Sequence, residues 1–571
     1  MAFPTLFPKG TFGFDCQRDR PISLVKYFNQ RILNCDNRFA ASTEYLFYAQ
    51  YRSEAKKVAD CLSIAMRKCK GQHQVQKITA GQIKNAEDIR RLARSDLSYH
   101  FLQNVRGSPA FFNKLLYDLL GMIRQLGSCT WFLTLSSADM KWKDTIQVIA
   151  AQHNQKMSDE QVENMTWEQK STWLRTNPVT AARHFDHRLQ LFMSTLVLGK
   201  SKPIGEIQDF KYRIEFQQRG SPHCHMLLWV KNAPSISQNS PEDDIPDKRT
   251  QTIYTELLTA VMGKLEDVQH DPEVTLEALL EQFEIPEAMY MKALTWIKTK
   301  QGQPAVLYRR NPSDCFINNY SPTLMKAWQA NLDLQYVTNV YACIMYVASY
   351  VSKPEKTLGD VLKSVSKNSA PAGPKKMMET VSKKFLSHRE VSAQEAVYRL
   401  LPLPLTKGSR QVIFLHTDLA ENRTKLLKPM KVIQELDDDD ENLYQEGMLE
   451  KYQLRPDCIE HICLADFAAN NSYARKTNTN SDPDLLDEES LDPETPEQYY
   501  HSKLLLYKPW RDETKDLLNE DGTYKRQYFN CRPTFCDRMN YYEPNNEEYT
   551  QAVEELQENG PPEDAWASLA P

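Results

Sequence analysis

The sequence predicts an α+β fold, because it combines strand patterns, two of which are joined as a hairpin, with separate helical segments. Trp131–Ser136 is a short apolar run that is typical of a buried strand. Residues 213–230 have the order strand, Gly/Pro turn, strand, and Met226–Val230 is apolar enough to be buried on both faces. Segments such as 276–283 place apolar residues at helical spacing. We therefore expect a central antiparallel sheet flanked by helices.

The length of 571 residues allows about three domains. We predict a helical N-terminal region at 1–105 and a sheet-containing domain at 106–356, which carries a helical insertion at about 232–304. A linker rich in Ser, Lys, Pro and Ala follows at 357–380. The mixed C-terminal region at 381–571 includes acidic stretches that we expect to be partly disordered.

Charge is divided unevenly along the chain. Residues 436–571 carry a net charge of −20, and the remainder carries +15, which gives the −5 of the whole sequence. A basic body suits the binding of phosphate groups. The acidic region either competes with DNA and recruits partners, or is a solvated linker.

The cysteines and the apolar runs limit the class of protein. Twelve cysteines are spread without close pairing, which indicates a reducing compartment. Cys458, His461 and Cys463, with Cys531 and Cys536, could form a zinc cluster, although their spacing matches no standard zinc finger. No run of 18 apolar residues occurs, so we expect no membrane span.

Two histidines on the second strand of the predicted hairpin are candidate metal ligands. His223 and His225 are two residues apart, so their side chains project from the same face of the strand. The hairpin would bring Glu215 or Gln217 opposite them as a third ligand. Imidazole with a carboxylate or an amide suits Mg²⁺ or Mn²⁺ with open positions for phosphate oxygens. Two such histidines can also simply face solvent or a partner.

Two tyrosines further along the chain are candidate nucleophiles. Tyr346 and Tyr350 are four residues apart in a segment that predicts a helix ending before Pro354, and Lys353 continues the same stripe. A tyrosine hydroxyl beside a metal can cut a phosphodiester and hold the broken end covalently, and Lys353 could hold a phosphate or stabilise the phenolate. A tyrosine stripe is also common in helix packing, with the hydroxyls reaching the surface.

Two further patterns concern phosphate binding. Arg309 and Arg310 follow a leucine and a tyrosine, and such a basic and aromatic mixture could contact a single strand by charge and stacking. Gly199–Ser201 resembles the end of a phosphate-binding loop, but Ser194 stands where that loop needs glycine. We therefore expect no ATPase or helicase activity in this chain.

The order of these motifs resembles that of HUH endonucleases. An apolar strand ending in Thr-x-Ser is followed by Arg-Gly-x-Pro-His-x-His and then by Tyr-xxx-Tyr-xx-Lys. The string around the histidines is similar in particular to the replication-initiator (Rep) part of Helitron transposases. Five further segments look like landmarks of the Helitron region: Phe3–Gly10, Asp36–Ala40, Gly107–Phe112, Asn177–Phe185 and Leu504–Arg511.

The resemblance implies an HUH/Rep-type core and a single-stranded DNA nickase and strand transferase of a rolling-circle transposon. His223, His225 and Glu215 would hold Mg²⁺ or Mn²⁺. Tyr346 and Tyr350 would be the two nucleophiles and would form a 5′-phosphotyrosine intermediate.

The resemblance extends to the neighbouring residues and the partners. Lys353 matches the family's lysine after the second tyrosine, whereas Ser349 stands where many relatives have another lysine. Gln217 and Arg219 belong to the histidine string, and we expect them to contact DNA. The implied partners are single-stranded transposon ends and target DNA, with a helicase supplied in trans, in the nucleus.

Two other classes of function stay open. One is a catalytically inactive, transposon-derived DNA-binding protein. The other is an adaptor whose acidic region recruits partners. Retention of both histidines and both tyrosines favours the enzyme over these alternatives.

Overall fold

The protein was analysed as a computed structural model. The structure describes residues 3–65, 68–70, 109–216, 220–233, 248–268, 274–300, 317–337, 386, 390–420, 422–470, 484–487, 496–518, 522–547, 549–550 and 553–554. None of the helices in these ranges is both long enough and apolar enough to cross a bilayer.

Helices surround the sheet and form most of the C-terminal part. Those of the first part are α1 Leu24–Ile32, α2 Thr43–Ala65, α3 Pro109–Leu126, α4 Lys143–Gln152, α5 Asp159–Glu163, α6 Trp167–Thr176 and α7 Pro178–Phe192, which continues as a π-helix to Val197. Those of the middle are α8 Lys248–Val268, α9 Leu276–Gln282, α10 Glu287–Lys300, α11 Pro322–Trp328 and α12 Ala393–Leu400. Those of the last part are α13 Met430–Glu435, α14 Met448–Gln453, α15 Leu464–Asn470, α16 Pro496–Tyr507, α17 Glu513–Leu517 and α18 Tyr524–Tyr542.

Local sequence signals explain where several of these helices begin. The hydroxyls of Ser158 and Thr166 each accept a hydrogen bond from the backbone N–H three residues later, and a glutamine completes each capping box. Pro178 opens α7, where a missing N–H costs nothing because that group has no partner within the helix. Gln329 ends α11 in the left-handed conformation.

The strands form one main sheet and two small pairs. They are β1 Lys68–Lys70, β2 Trp131–Ser136, β3 Ile207–Phe216, β4 Pro222–Val230, β5 Leu332–Tyr336, β6 Thr406–Gly408, β7 Val412–Leu415, β8 Thr424–Leu426 and β9 Asp484–Asp487. The main sheet has the order β5-β2-β4-β3-β6, and all its neighbours are antiparallel. The predicted α+β fold with a central antiparallel sheet is thereby confirmed.

The predicted hairpin of β3 and β4 is also present. Gly220 lies in the turn with φ of 82°, a conformation that glycine adopts without steric cost. Most of β4 is buried on both faces, as its continuous apolar run predicts. The register places Glu215 directly opposite His223.

The main core lies on one face of the sheet. Alternate residues of β2 to β5 pack there against α1, α2, α7, α11 and α12. Trp328 is fully buried, and its Nε1 donates to the Ser136 backbone oxygen at 2.8 Å. Cys224 also faces this core, so the small middle residue of the histidine triplet points inward.

Parts of the predicted N-terminal and C-terminal regions belong to this core. Tyr45 and Leu46 of α2 pack in it, and α12 follows the predicted linker and lies against α2 and α7. Strand β6 joins the edge of the sheet beside β3. The division of the chain at 105 and 381 stays a prediction. One strand of the main sheet, β6, lies beyond the second boundary, and the N-terminal region contributes helices to the core.

Two further hydrophobic clusters are separate from the main core. Helices α8, α9 and α10 of the predicted insertion pack on one another around Val261 and Leu279. Helices α14 to α18 surround Tyr452 and Trp510. Cys463 is buried in this second cluster, and burial raises its pKa to about 12.

Candidate functional site

The second face of the sheet is divided into an apolar part and a polar part. In the apolar part, Phe132, Leu227 and Trp229 pack against α3. In the polar part, the same strands present hydroxyls, imidazoles and charged groups. We call this second part the polar patch, and it consists of Thr134, Ser136, Arg213, Glu215, His223, His225 and Asp333.

Each histidine of the polar patch is held by a hydroxyl on the neighbouring strand. His223 Nδ1 lies 3.1 Å from Ser136 Oγ, and His225 Nδ1 lies 3.1 Å from Thr134 Oγ1. The same residues are direct partners in the register of β2 and β4. A hydroxyl that accepts from Nδ1–H leaves the lone pair on Nε2, which is how metal-binding histidines are commonly oriented.

Glu215 places a carboxylate beside this pair. It lies opposite His223 in the register, and its Oε2 is 3.5 Å from His225 Nε2. This Oε2 is buried and makes no hydrogen bond with the residues that the structure describes. A buried carboxylate oxygen is costly unless a cation or a donor compensates it. The atom is therefore suited to a bound cation.

The carboxylate and the imidazoles are donors that suit Mg²⁺ or Mn²⁺. In the described ranges, no three His, Cys, Asp or Glu side chains already stand together as a complete ligand set. Glu215 and His225 are in contact, and His223 lies on the adjacent position of the strand. The residues thus fit a divalent cation by their chemistry.

Charged groups continue the polar patch across the sheet. Arg213 is the register partner of His225, Asp333 is the partner of Thr134, and both side chains are buried. The Phe132 ring lies parallel to the His225 ring, with centroids 6.0 Å apart and planes inclined by 5°. Phe132 therefore forms the border at which the polar patch meets the apolar part under α3.

The turn before His223 is held by a buried carboxylate. Asp139 Oδ2 accepts from Ser221 Oγ at 3.3 Å and from Gln394 Nε2 of α12 at 3.4 Å. Burial raises the pKa of Asp139, and hydrogen bonds from Gln394 and Ser221 oppose that shift. A Cβ on Gly220 would stand 3.1 Å from the Ser392 Cβ, so the turn also fits closely against the start of α12.

The structure brings together some of the residues that the sequence singles out. His225 and Glu215 are in contact in the polar patch, and His223 is the register partner of Glu215. The other candidates lie outside the described residues: Gln217, Arg219, Arg309, Arg310, Tyr346, Tyr350 and Lys353.

Sequence reasoning missed the residues that support the histidines. Thr134 and Ser136 were recognised as a motif but not as hydrogen-bond partners of the imidazoles. Their spacing of two matches that of the histidines, which was the available signal. Asp139 and Gln394 are 255 positions apart, and nothing in their local sequence pairs them.

The interpretation of the C-terminal cysteines and His461 as a zinc cluster is wrong. Cys458, His461, Cys463, Cys531 and Cys536 all belong to the described part of the chain, and no metal-holding group of three is found there. Cys463 is buried in the hydrophobic cluster of the C-terminal helices, whereas Cys458 is exposed. The two thiols are placed by packing and by solvent exposure rather than by a common ligand.

Comparison with known proteins identifies one domain. Residues 18–228 match the family described as the Helitron helicase-like domain at the N-terminus. No curated protein matches the chain. The matched range includes β2, β3 and nearly all of β4, so it contains the two histidines and Glu215. Residues 18–228 are therefore similar to the Helitron helicase-like domain, and the match covers less than half of the chain.

Proposed function

We propose that the protein is an HUH endonuclease that nicks single-stranded DNA and transfers the strand, as the Rep part of a Helitron does. The observation that carries this proposal is the buried Oε2 of Glu215, which lies 3.5 Å from His225 Nε2 and makes no hydrogen bond with the residues that the structure describes. Such an oxygen next to an oriented imidazole is what a divalent cation site requires.

His223, His225 and Glu215 would hold Mg²⁺ or Mn²⁺. When bound, the cation would polarise the scissile phosphate and draw charge from its oxygens. Ser136 and Thr134 fix the imidazole rings through Nδ1. This keeps Nε2 available and removes the freedom of each ring to rotate.

Tyr346 and Tyr350 are the proposed nucleophiles. The phenol oxygen of one attacks phosphorus, so that a P–O bond to tyrosine forms while the P–O3′ bond breaks. The phenol loses its proton, and the departing 3′ oxygen gains one, which leaves a 5′-phosphotyrosine and a free 3′-OH. Lys353 would stabilise the phenolate as a point charge. The second tyrosine can then accept another strand while the first remains loaded.

The substrate would be single-stranded transposon ends and target DNA. Gln217, Arg219, Arg309 and Arg310 would contact its backbone and bases. A helicase acting in trans would supply the single strand, and the activity would take place in the nucleus.

The test is formation of a covalent protein–DNA adduct. Purified protein is mixed with a labelled single-stranded oligonucleotide library and Mn²⁺ or Mg²⁺, and the products are separated on a denaturing gel. We expect an adduct that requires the metal, disappears in the Tyr346→Phe/Tyr350→Phe double variant, and falls at least about 100-fold in Glu215→Gln.

His187→Ala is the matched control, because His187 is an exposed histidine of α7 in the same domain. It should form as much adduct as the wild type. Binding of DNA without an adduct, across metals and oligonucleotides, would reject the nickase and leave the inactive DNA-binding protein. No affinity for DNA at low salt would favour the adaptor.

A further inference from the structure

A cavity lies in the N-terminal part of the protein, where it is lined by residues of the segment 3–15, of α1 and of α2. Its volume is about 190 Å³, and seven of its lining residues are aromatic: Phe3, Phe7, Phe14, Tyr27, Phe28, Tyr45 and Tyr48. Sites for drug-sized ligands usually have about 300–1,000 Å³. This cavity is therefore suited to one planar ring rather than to a larger molecule.

The aromatic rings of the cavity meet edge to face. Phe3 and Tyr45 have centroids 5.3 Å apart with planes at 81°, and Phe3 and Tyr48 have centroids 5.2 Å apart at 62°. Edge-to-face contacts support the rings without covering both faces of each. A further flat ring can therefore stack in the space between them.

One buried polar group in the wall is the Tyr45 hydroxyl, which interacts with the Tyr27 hydroxyl. Tyr45 is 1% exposed, and its hydroxyl makes no hydrogen bond of normal geometry with the described residues. The nearby Tyr27 hydroxyl donates to the Phe12 backbone oxygen at 3.1 Å. A ligand with a carbonyl oxygen or a ring nitrogen would give Tyr45 an acceptor.

Arginines make the surroundings of the cavity positive. Arg52 lines it, and Arg18 and Arg31 lie 5.5 and 5.3 Å from the Tyr27 ring centroid. Asp15 is the acidic residue among those that line the cavity. The charges of Arg52 and Asp15 offset each other in the lining, so the two further guanidinium groups beside Tyr27 leave the surroundings positive, which favours a guest that carries phosphate.

The loop that closes the cavity is held in place before any ligand binds. Arg18 donates to the Phe14 backbone oxygen at 2.6 Å, and Arg31 donates to the Phe12 backbone oxygen at 2.6 Å. Phe12 has φ of 64° and its side chain is 69% exposed. A bulky residue in the left-handed region is held there against strain, and this one presents its ring to solvent beside the cavity.

We propose that this cavity binds one unstacked base of single-stranded DNA, with Arg52 contacting a neighbouring phosphate. Aromatic walls and a positive rim are the features by which proteins hold single strands. The inference rests on the proposed DNA substrate, but it does not depend on nicking.

The experiment compares two oligonucleotides of equal length and charge. The affinity of the full chain is measured without divalent metal for oligo(dT) and for an oligonucleotide that is abasic throughout. Wild type should prefer oligo(dT), and Tyr48→Ala should weaken binding of oligo(dT) about tenfold, which is the effect of losing one base–aromatic stack. Binding of the abasic strand should not change in that variant.

Two variants control for folding and position. Tyr51→Ala removes an exposed tyrosine one residue before Arg52 that does not line the cavity, and it should behave as wild type. Tyr48→Phe keeps the ring and should keep the preference for oligo(dT). The proposal would be overturned if Tyr48→Ala and Tyr51→Ala lost the same affinity for oligo(dT). It would also be overturned if Tyr48→Ala lost as much affinity for the abasic strand as for oligo(dT).

The competing occupant and the nicking reaction are tested separately. Release of labelled oligo(dT) by thymidine supports the base site, whereas release by tetramethylammonium alone would identify a cation cage instead. If no adduct forms with any metal, the nicking proposal fails, and the difference between oligo(dT) and the abasic strand still decides the cavity.

Discussion

The apolar part and the polar patch on the second face of the sheet are formed by the same strands, yet they differ in what their side chains contribute to stability. Phe132 and Leu227 are buried against α3, and two residues further along the strands Thr134 and His225 form a hydrogen-bonded pair. The apolar part gains stability from burial. The polar part contains a buried oxygen of Glu215 that no described residue hydrogen-bonds, and such an oxygen costs stability in the absence of a ligand. Changes to the two parts should therefore separate folding from metal binding.

The largest effect on stability should come from the ion cluster that holds α3 in place. Glu543 is buried and contacts Arg124 of α3, Lys503 at 2.7 Å and Tyr507 at 2.5 Å. Burial alone raises its pKa, but Arg124 and Lys503 outweigh this and lower the pKa to about 2. Glu543→Gln should lower the free energy of unfolding by about 3–5 kcal/mol, because two cations stay buried without a partner.

This loss should depend on pH, which chemical denaturation can measure. Since the folded pKa lies below the unfolded value of about 4.5, ionised Glu543 contributes its full stability above that pH. The contribution disappears as the pH falls toward about 2. The difference in the free energy of unfolding between wild type and Glu543→Gln should become smaller over this pH range. The exposed Glu547→Gln should have the same free energy of unfolding as wild type. A difference in the free energy of unfolding that does not change with pH would show that ionised Glu543 is not the source of this stability.

A change within the apolar part should destabilise the fold and leave the metal site intact. Leu227 is 1% exposed, and Leu227→Ala leaves a cavity under α3 that should cost about 2–5 kcal/mol. Guanidinium denaturation gives the stability, and Mn²⁺ binding to the folded variant gives the second readout. If Leu227→Ala weakened Mn²⁺ binding and left the free energy of unfolding unchanged, the apolar part would contribute to metal binding rather than to stability.

A change within the polar patch should have the opposite result. Thr134→Val keeps the volume of the side chain and removes the hydroxyl that holds His225 Nδ1. Mn²⁺ affinity should fall about 10- to 100-fold, the usual effect of losing a group that orients a ligand. Thr176→Val is a control on an exposed hydroxyl of α6. Unchanged Mn²⁺ affinity in Thr134→Val would show that the hydroxyl does not position the imidazole.

The smallest effect should come from the turn that leads into the histidines. Gly220→Ala places a Cβ in the left-handed region and within 3.1 Å of Ser392 Cβ. We expect a loss of about 1–2 kcal/mol in the free energy of unfolding. Gly13→Ala is a control, since an added Cβ there meets no atom within 4 Å. A stabilised Gly220→Ala would show that the turn is not constrained.

The sequence predicted the parts of the site that are local. The hairpin pattern predicts Glu215 or Gln217 opposite the histidines, and the observed register places Glu215 opposite His223. Thr134 lies 91 positions from His225, and their contact depends on how β2 pairs with β4. Such pairing follows from the packing of the whole sheet, and short-range patterns do not determine it.

The N-terminal cavity was missed for the same reason. Its aromatic residues come from an irregular segment and from two helices, and only tertiary packing brings Phe3 to Tyr45 and Tyr48. The helical character of this region was predicted, and α2 extends from Thr43 to Ala65. Helical periodicity alone does not show which aromatic side chains surround a space.

The proposed metal site is tested most directly by measuring Mn²⁺ binding to the metal-free protein by calorimetry. The measurement is repeated for His223→Ala, His225→Ala, Glu215→Gln and the exposed His187→Ala. We predict one site in wild type and in His187→Ala, and a loss of that site in the three polar-patch variants. Glu215→Gln should also be at least as stable as wild type without metal, because it removes the charge of a carboxylate whose buried Oε2 makes no hydrogen bond with the described residues. Unchanged Mn²⁺ binding in all three variants would contradict the assignment of the metal site.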